Sequence, residues 1–263
     1  MRLCVERLGV ESYTHVVEPG FEIPGEKLGG LQEAIGRLAR GEPLQYVLGF
    51  EEFCGRRFRV GPGVLIPRPE TEELVRVALK RLPEGGGALD LCTGSGCIAW
   101  TLALDRPGAS VVGVDLSEDA LAIARCQFGE PPQAAMAPSF IKADVLEVPD
   151  EWSGAPLDVI TANPPYIRES ERTLMHANVL EHEPALALFV PDSDPLRFYR
   201  AVALWAGRFL RPGGFGIVEI NEELGAATAA IFAAAGFGEV KVAHDFRGKE
   251  RFVSFVKRAS VAL

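Results

Sequence analysis

The chain has 263 residues, 48% hydrophobic and 24% charged, with a formal net charge of −9. That composition gives a globular chain with a sizeable core and excludes a disordered or fibrous one. No run approaches the roughly 18 apolar residues of a membrane span, and the acidic balance opposes general attraction to a phosphate backbone. The opening residues carry Glu6 and Glu11 and fit neither a secretory signal nor an acid-poor transit peptide, so a cytoplasmic location with no membrane contact is expected.

In chain order, Leu28, Leu31, Ile35 and Leu38 recur at helical spacing before Gly41 and Pro43, predicting a helix with one buried face. The Pro- and Gly-rich "VVEPGFEIPGEK" upstream gives no period, so residues 1–45 form a small appendage. "QYVLGFEEFCGRRFRVGPGVLIP" predicts two strands about a turn at Cys54-Gly55, with Phe53, Phe58 and Val60 available to pack. "RPETEELVRVALKRL" is helical: Thr71 lies at its cap or first turn among acids, and Leu74, Val75, Ala78, Leu79 and Leu82 make its apolar face. From Ala88 onward, strand-like runs alternate with helical ones, which predicts an α/β fold with a doubly wound, mostly parallel sheet. "EVKVAHD" and "RFVSFVKR" are separated by a short turn and should close the sheet as an antiparallel hairpin. "GEPPQAAMAP" has a loop-like bias.

The first crossover, "ALDLCTGSGCIAW", places Thr93-Gly94-Ser95-Gly96 between strand and helix, where glycines let the backbone turn tightly and approach a ligand. Asp115 ends the next strand about twenty residues on, where an acid can accept from both ribose hydroxyls. Asp144 ends the third. The loop lacks the full GxGxxG spacing that admits a pyrophosphate, so a nucleoside without phosphates fits better than NAD. Cys4, Cys54, Cys92, Cys97 and Cys126 show no CxxC pairing and no histidine at zinc spacing; they are read as reduced thiols, with no metal site.

The fourth strand delivers "NPPY", residues 163–166, to the edge where open α/β sheets bind ligands. The Asn163 side-chain oxygen and the Pro164 carbonyl can present two acceptors to one planar NH2 group; Pro165 adds stiffness, and the Tyr166 ring offers a surface for stacking. This arrangement suits an amide or aromatic amine attacking an electrophilic carbon. A proline-rich turn capped by its Asn is the plainer reading of such a tetrad.

"CTGSG", "VDLSEDALAIA", "KAD" and "NPPY" together resemble class I S-adenosylmethionine-dependent N-methyltransferases. "GEPLQYVLGFEEFCGRRFRVGPGVLIPRPETEELV", "EHEPALALF" and "RFLRPGGFGIVEI" narrow the resemblance to the HemK/PrmC family, the peptide-chain release factor glutamine N5-methyltransferases, over about residue 41 to the end. The resemblance implies a seven-stranded class I methyltransferase sheet (67–263), a shortened helical N-terminal domain (1–45) and a linking β-hairpin (46–66). It implies S-adenosyl-L-methionine as cofactor and S-adenosyl-L-homocysteine as product. Thr93, Gly94, Ser95 and Gly96 would line the methionine moiety, Asp115 the ribose, and Asp144 with Val145 the adenine, with Cys92, Leu116 and Asn163 also binding the cofactor. Asn163, Pro164, Pro165 and Tyr166 would hold the substrate amide beside the methyl group, with Asn163, Pro164 and Tyr166 catalytic. Arg68 and Glu70 would form a lid over the cofactor, or alternatively an ion pair and helix cap. The implied partner is a peptide-chain release factor, the protein substrate; the enzyme is expected to be a monomer without direct nucleic acid contact. Departures from the family pattern are Cys92 in place of a glycine, Gln127 in place of an asparagine, and Asp194-Pro195-Leu196 in place of Asp-Gly-Leu. The weighed alternatives are an exocyclic-amine methyltransferase of DNA or RNA, a ribosomal-protein glutamine methyltransferase, and a non-catalytic binding module on the same fold.

Overall fold

Four helices open the computed structural model, which describes residues 1–129, 135–151 and 156–259. They are α1 (Arg2–Leu8), α2 (Thr14–Val17), α3 (Gly25–Ala39) and α4 (Leu44–Leu48). Leu3, Leu8, Leu31, Ala34 and Val47 form their shared core. The buried stripe of α3 is narrower than its spacing predicts, because α1 and α4 cover only the Leu31–Ala34 side; Leu28 and Ile35 lie on the outer flank, 42% and 51% exposed.

The expected hairpin is present as β1 (Phe50–Phe53) and β2 (Arg56–Arg59). Its two turn residues, Cys54 and Gly55, both have positive φ (48° and 73°), the conformation whose twist matches a two-residue hairpin. Phe53 and Phe58 are buried and meet edge to face, 5.9 Å between centroids. The chain then runs as a strap, residues 61–68, held from below by the Tyr46 hydroxyl donating to the Val64 carbonyl at 2.5 Å.

The strap leads into α5 (Pro69–Leu79), with proline at the first helical position, where its missing N–H leaves nothing unpaired. Next come β3 (Gly87–Leu91), α6 (Cys97–Asp105), β4 (Ser110–Asp115), α7 (Glu118–Arg125), β5 (Ser139–Lys142) and β6 (Leu157–Ala162). After β6 lie β7 (Ile167–Arg168), a 3-10 turn (Glu169–Leu174), α8 (Ala177–His182), α9 (Ala185–Leu188) and β8 (Phe189–Val190). The chain finishes with α10 (Arg197–Phe209), β9 (Leu210–Glu219), α11 (Gly225–Ala234), β10 (Gly238–His244) and β11 (Glu250–Val256). Residues 130–134 of the Pro- and Ala-rich stretch lie outside the described residues.

The main sheet has the order β10-β11-β9-β6-β3-β4-β5, parallel from β5 through β9, with β11 antiparallel to both neighbours. It is the seven-stranded doubly wound sheet expected, with the terminal hairpin at its edge. Strands β3, β4 and β6 are mostly apolar and buried because helices cover both faces, whereas the edge strand β5 is largely exposed. Phe53, Phe58, Leu74 and Trp100 pack on one face, Tyr199, Trp205, Phe232 and Phe255 on the other. The connection from β3 runs to β4 on one side of the sheet and that from β6 leads to β9 on the other, so the switch in winding between these two neighbours opens a crevice at their carboxyl ends.

Candidate active site

The crevice is a cavity of about 290 Å³, walled by the loops after β3, β4, β5 and β6 and roofed by the strap and the start of α5. Cys92, Thr93, Gly94, Ser95, Asp115, Leu116, Asp144, Val145, Asn163 and Pro165 all line it. Asp115 also organises the wall. Its Oδ2 accepts from the Gly94 N–H at 2.8 Å and its Oδ1 from the Ser117 N–H at 2.9 Å, so one carboxylate pins the glycine loop and the start of α7. Burial raises its pKa despite those bonds. Gly94 has φ 54°, and no heavy atom lies within 4 Å of the place a side chain would occupy, so the loop backbone is open to a ligand. Cys92 is held at φ 58°, a left-handed conformation costing a non-glycine residue about 1 kcal/mol, and burial keeps its thiol protonated.

Gly96 does not line the cavity. Its φ is 77°, and an added Cβ would sit 3.0 Å from Ala124 and 3.1 Å from Phe140, so its role is the close approach of α6 to its neighbours. Gln127 bridges two elements: its amide exchanges bonds with the Arg59 backbone (2.7 and 2.9 Å) and donates to the Ser95 carbonyl at 2.8 Å, tying hairpin to glycine loop.

A second cavity of about 120 Å³ adjoins the first and is lined by Pro164, Tyr166, Ile167, Met175, Val179 and Leu188, among others. Leu65, Arg68, Asn163 and Ala187 line both, which places Asn163 at the junction. The Asn163 amide donates to Thr71 Oγ1 at 3.3 Å, and the Tyr166 hydroxyl donates to the Glu219 carboxylate at 2.9 Å. Pro164 and Pro165 are buried.

Arg68 and Glu70 part company. Arg68 donates to Glu183 at 2.7 Å, and the other Glu183 oxygen accepts from the Ile66 N–H at 3.0 Å, so a buried carboxylate fastens the strap to the segment after α8. Glu70 lines neither cavity. One helical step round α5 from the cavity-facing Thr71, it pairs with Arg247 at 3.3 Å beside the β10–β11 turn, so the lid expected of it is not what its position supports.

Four site residues escape the sequence reading. Asp90, fully buried in β3, accepts from Thr93 at 2.5 Å and Thr161 at 2.8 Å, and burial pushes its pKa up to about 7. Glu219 accepts from Thr71 at 2.6 Å as well as from Tyr166. Acids within or closing an apolar strand are the signal for Asp90 and Glu219, the same signal that marks Asp115. Glu183 and the role of Thr71 have no local signature, since their partners lie 92 or more residues away in sequence.

A doubly wound sheet of this strand order, with a glycine loop, strand-end acids and an Asn-Pro-Pro-Tyr turn around one crevice, defines a class I methyltransferase. The methyltransferase small domain family matches residues 70–187. A methyltransferase from Pyrococcus furiosus shares the fold, with a TM-score of 0.53 at 17% identity over 87% of this chain and 100% of that one. The release factor glutamine methyltransferase of Bacteroides thetaiotaomicron is 44% identical over 254 residues, 97% of this chain and 90% of the relative. That of Neisseria gonorrhoeae is 40% identical over 250 residues, 92% and 88% of the two chains. The chain belongs to the release factor glutamine methyltransferase family, and it is an enzyme of that family. Among the described residues no helix is long and apolar enough to cross a membrane.

Proposed function

We propose that the protein methylates the side-chain amide nitrogen of the glutamine in the Gly-Gly-Gln loop of class 1 release factors, using S-adenosyl-L-methionine and leaving S-adenosyl-L-homocysteine. The residues present fit that cofactor. Asp115 keeps lone pairs for ribose hydroxyls beyond the two backbone bonds it accepts. Val145, Leu116 and Leu146 offer apolar walls for a base beside Asp144, and the open backbone at Gly94 leaves room for an amino-acid tail. The cofactor supplies an electrophilic methyl carbon.

The observation that carries the reading is the place of Asn163, on the shared wall of the larger cavity and the smaller one, both mostly apolar. A long unbranched side chain entering the smaller cavity brings its terminal amide to Asn163. The Asn163 Oδ1 and the Pro164 carbonyl accept from the two N–H groups of that amide and hold its nitrogen toward the larger cavity. Proline rigidity fixes the separation of the two acceptors before substrate arrives, and such pre-orientation contributes up to roughly 7–11 kcal/mol of the barrier. Two directed acceptors also favour the pyramidal nitrogen that develops during attack. Asn163 does not ionise, and the N-methylated amide cation left by the attack is a strong acid that yields its extra proton to water, so no side chain is required as general base. The net charge of −9 weighs against a nucleic acid substrate for the same tetrad.

Incubating the enzyme with methyl-labelled cofactor and purified release factor, its Gln→Ala loop variant, or nucleic acid tests the reading. Label is expected on the intact factor alone. Equal label on the variant rejects glutamine as the acceptor, and label on nucleic acid alone favours an exocyclic amine.

A further inference from the structure

The Asn163 amide can work in only one of its two orientations. With its oxygen facing the cavity junction it accepts from a substrate NH2; turned over, it presents two N–H groups to a group that also only donates there. Nothing in Asn163 itself selects between them, because the two ends of a carboxamide are nearly identical in size. The selection comes from a chain of bonds behind it.

Glu219 ends β9 with 1% of its surface exposed, and Thr71, in the first turn of α5, has 3%. Two donors converge on the carboxylate: the Thr71 hydroxyl at 2.6 Å on Oε2 and the Tyr166 hydroxyl at 2.9 Å on Oε1. A hydroxyl has one proton. Thr71 commits its own to Glu219, so toward Asn163 its oxygen can only accept, and the group it accepts from, at 3.3 Å, is the Asn163 NH2. That leaves the amide oxygen for the cavity. We infer that Glu219 and Thr71 are positioning residues that set the donor and acceptor polarity of Asn163, and through Tyr166 the same carboxylate fixes the ring on the other side of the substrate amide. This inference rests on the proposed glutamine reaction and deepens it: the strand next to the Asn-Pro-Pro-Tyr strand carries the anchor that makes the tetrad an acceptor site.

The polarity of the chain depends on Glu219 being an anion. Burial is the largest influence on this carboxyl and raises its pKa, and Glu70 on α5 adds to that; the hydroxyls of Thr71 and Tyr166 and the Arg251 guanidinium on β11 favour the charge, and Tyr199 on α10 also faces the carboxylate. A protonated carboxyl would donate to Thr71 and free the threonine proton to turn toward Asn163, inverting the amide.

Thr71→Val and Thr71→Ser separate this role from packing. Valine keeps the shape and loses the hydroxyl; serine keeps the hydroxyl and loses a methyl group. A packing role makes serine the worse variant, whereas a polarity role makes valine the worse one. On purified enzyme with its release factor, Thr71→Val is expected to lower kcat at least about tenfold, the worth of one directed hydrogen bond, with Thr71→Ser within about threefold of wild type. Cofactor affinity by calorimetry should be unchanged in both. The Asn163 side-chain NH2 protons, followed by NMR, should lose their exchange protection in the valine variant alone. If Thr71→Val does not fold, Thr71→Ala replaces it with the same expectations. Wild-type kcat in the hydroxyl-less variant, or equal losses in both variants, overturns the inference. A wild-type enzyme that leaves glutamine unmethylated overturns instead the reaction on which it rests.

Discussion

Replacing Asp115 by alanine removes three things together: a bond to the Gly94 N–H, a bond to the Ser117 N–H, and the acceptor face turned toward the cavity. If that face receives both ribose hydroxyls, each charge-assisted bond contributes about 1.5–3 kcal/mol, and losing even the lower sum weakens cofactor binding by about 100-fold. Ligand at 100 times its Kd stabilises the native state by about 2.7 kcal/mol; at the same concentration a 100-fold weaker variant gains about 0.4 kcal/mol. For a chain of this length those gains raise Tm by about 5–10 °C and about 1 °C. Differential scanning fluorimetry with and without S-adenosylmethionine, backed by calorimetric titration, reads both. Asp115→Asn should fare little better, because its NH2 must face one of the two backbone N–H groups. An Asp115→Ala variant that binds within about threefold of wild type and keeps the full Tm rise refutes the assignment of this carboxylate to the ribose.

Three further outcomes are expected. Asn163→Ala should abolish methyl transfer while leaving cofactor affinity within about twofold, measured by activity and calorimetry on one preparation. Gly96→Ala forces a left-handed backbone and a 3.0 Å contact with Ala124, and should lower Tm by roughly 4–8 °C, corresponding to about 2 kcal/mol. Asp90 holds its proton up to about pH 7 in the folded state against about 3.9 unfolded, so its stabilising contribution is full below pH 4 and falls away as pH rises through 7. Urea melts at pH 5 and pH 8 should therefore show a smaller loss of stability in Asp90→Asn than in wild type, and equal losses would count against it.

Much of the fold is legible because its signals are local. Helix-covered strands appear as short apolar runs, the Cys54-Gly55 turn marks its hairpin, and the glycine loop and Asp115 sit at the spacing a first crossover requires. The Asn-Pro-Pro-Tyr turn stands out by its residue types and by its place after the fourth parallel strand, where the structure puts it beside the crevice. The failures have a common cause in long-range structure. The exposure of Leu28 and Ile35 follows from where α1 and α4 happen to lie, and helical period says only that a face exists. Glu70 and Thr71 are adjacent in sequence, yet one points to Arg247 and the other to Glu219, a difference of helical phase that selects which belongs to the site. Glu183 lies in "EHEP", just past the end of α8, but its burial under the strap depends on Ile66 and Arg68, over a hundred residues earlier. Cys92 keeps a left-handed backbone where glycine would be free of strain, so the departure from the family pattern changes the side chain and leaves the turn intact.

The proposed chemistry requires the substrate nitrogen to be held in one place. A crystal structure of the enzyme with S-adenosylhomocysteine and a peptide carrying the Gly-Gly-Gln sequence should place the glutamine Nε2 about 3 Å from both the Asn163 Oδ1 and the Pro164 carbonyl oxygen, aimed at the cofactor sulfur. A nitrogen pointing elsewhere, with those two oxygens bonded to other groups, would contradict it.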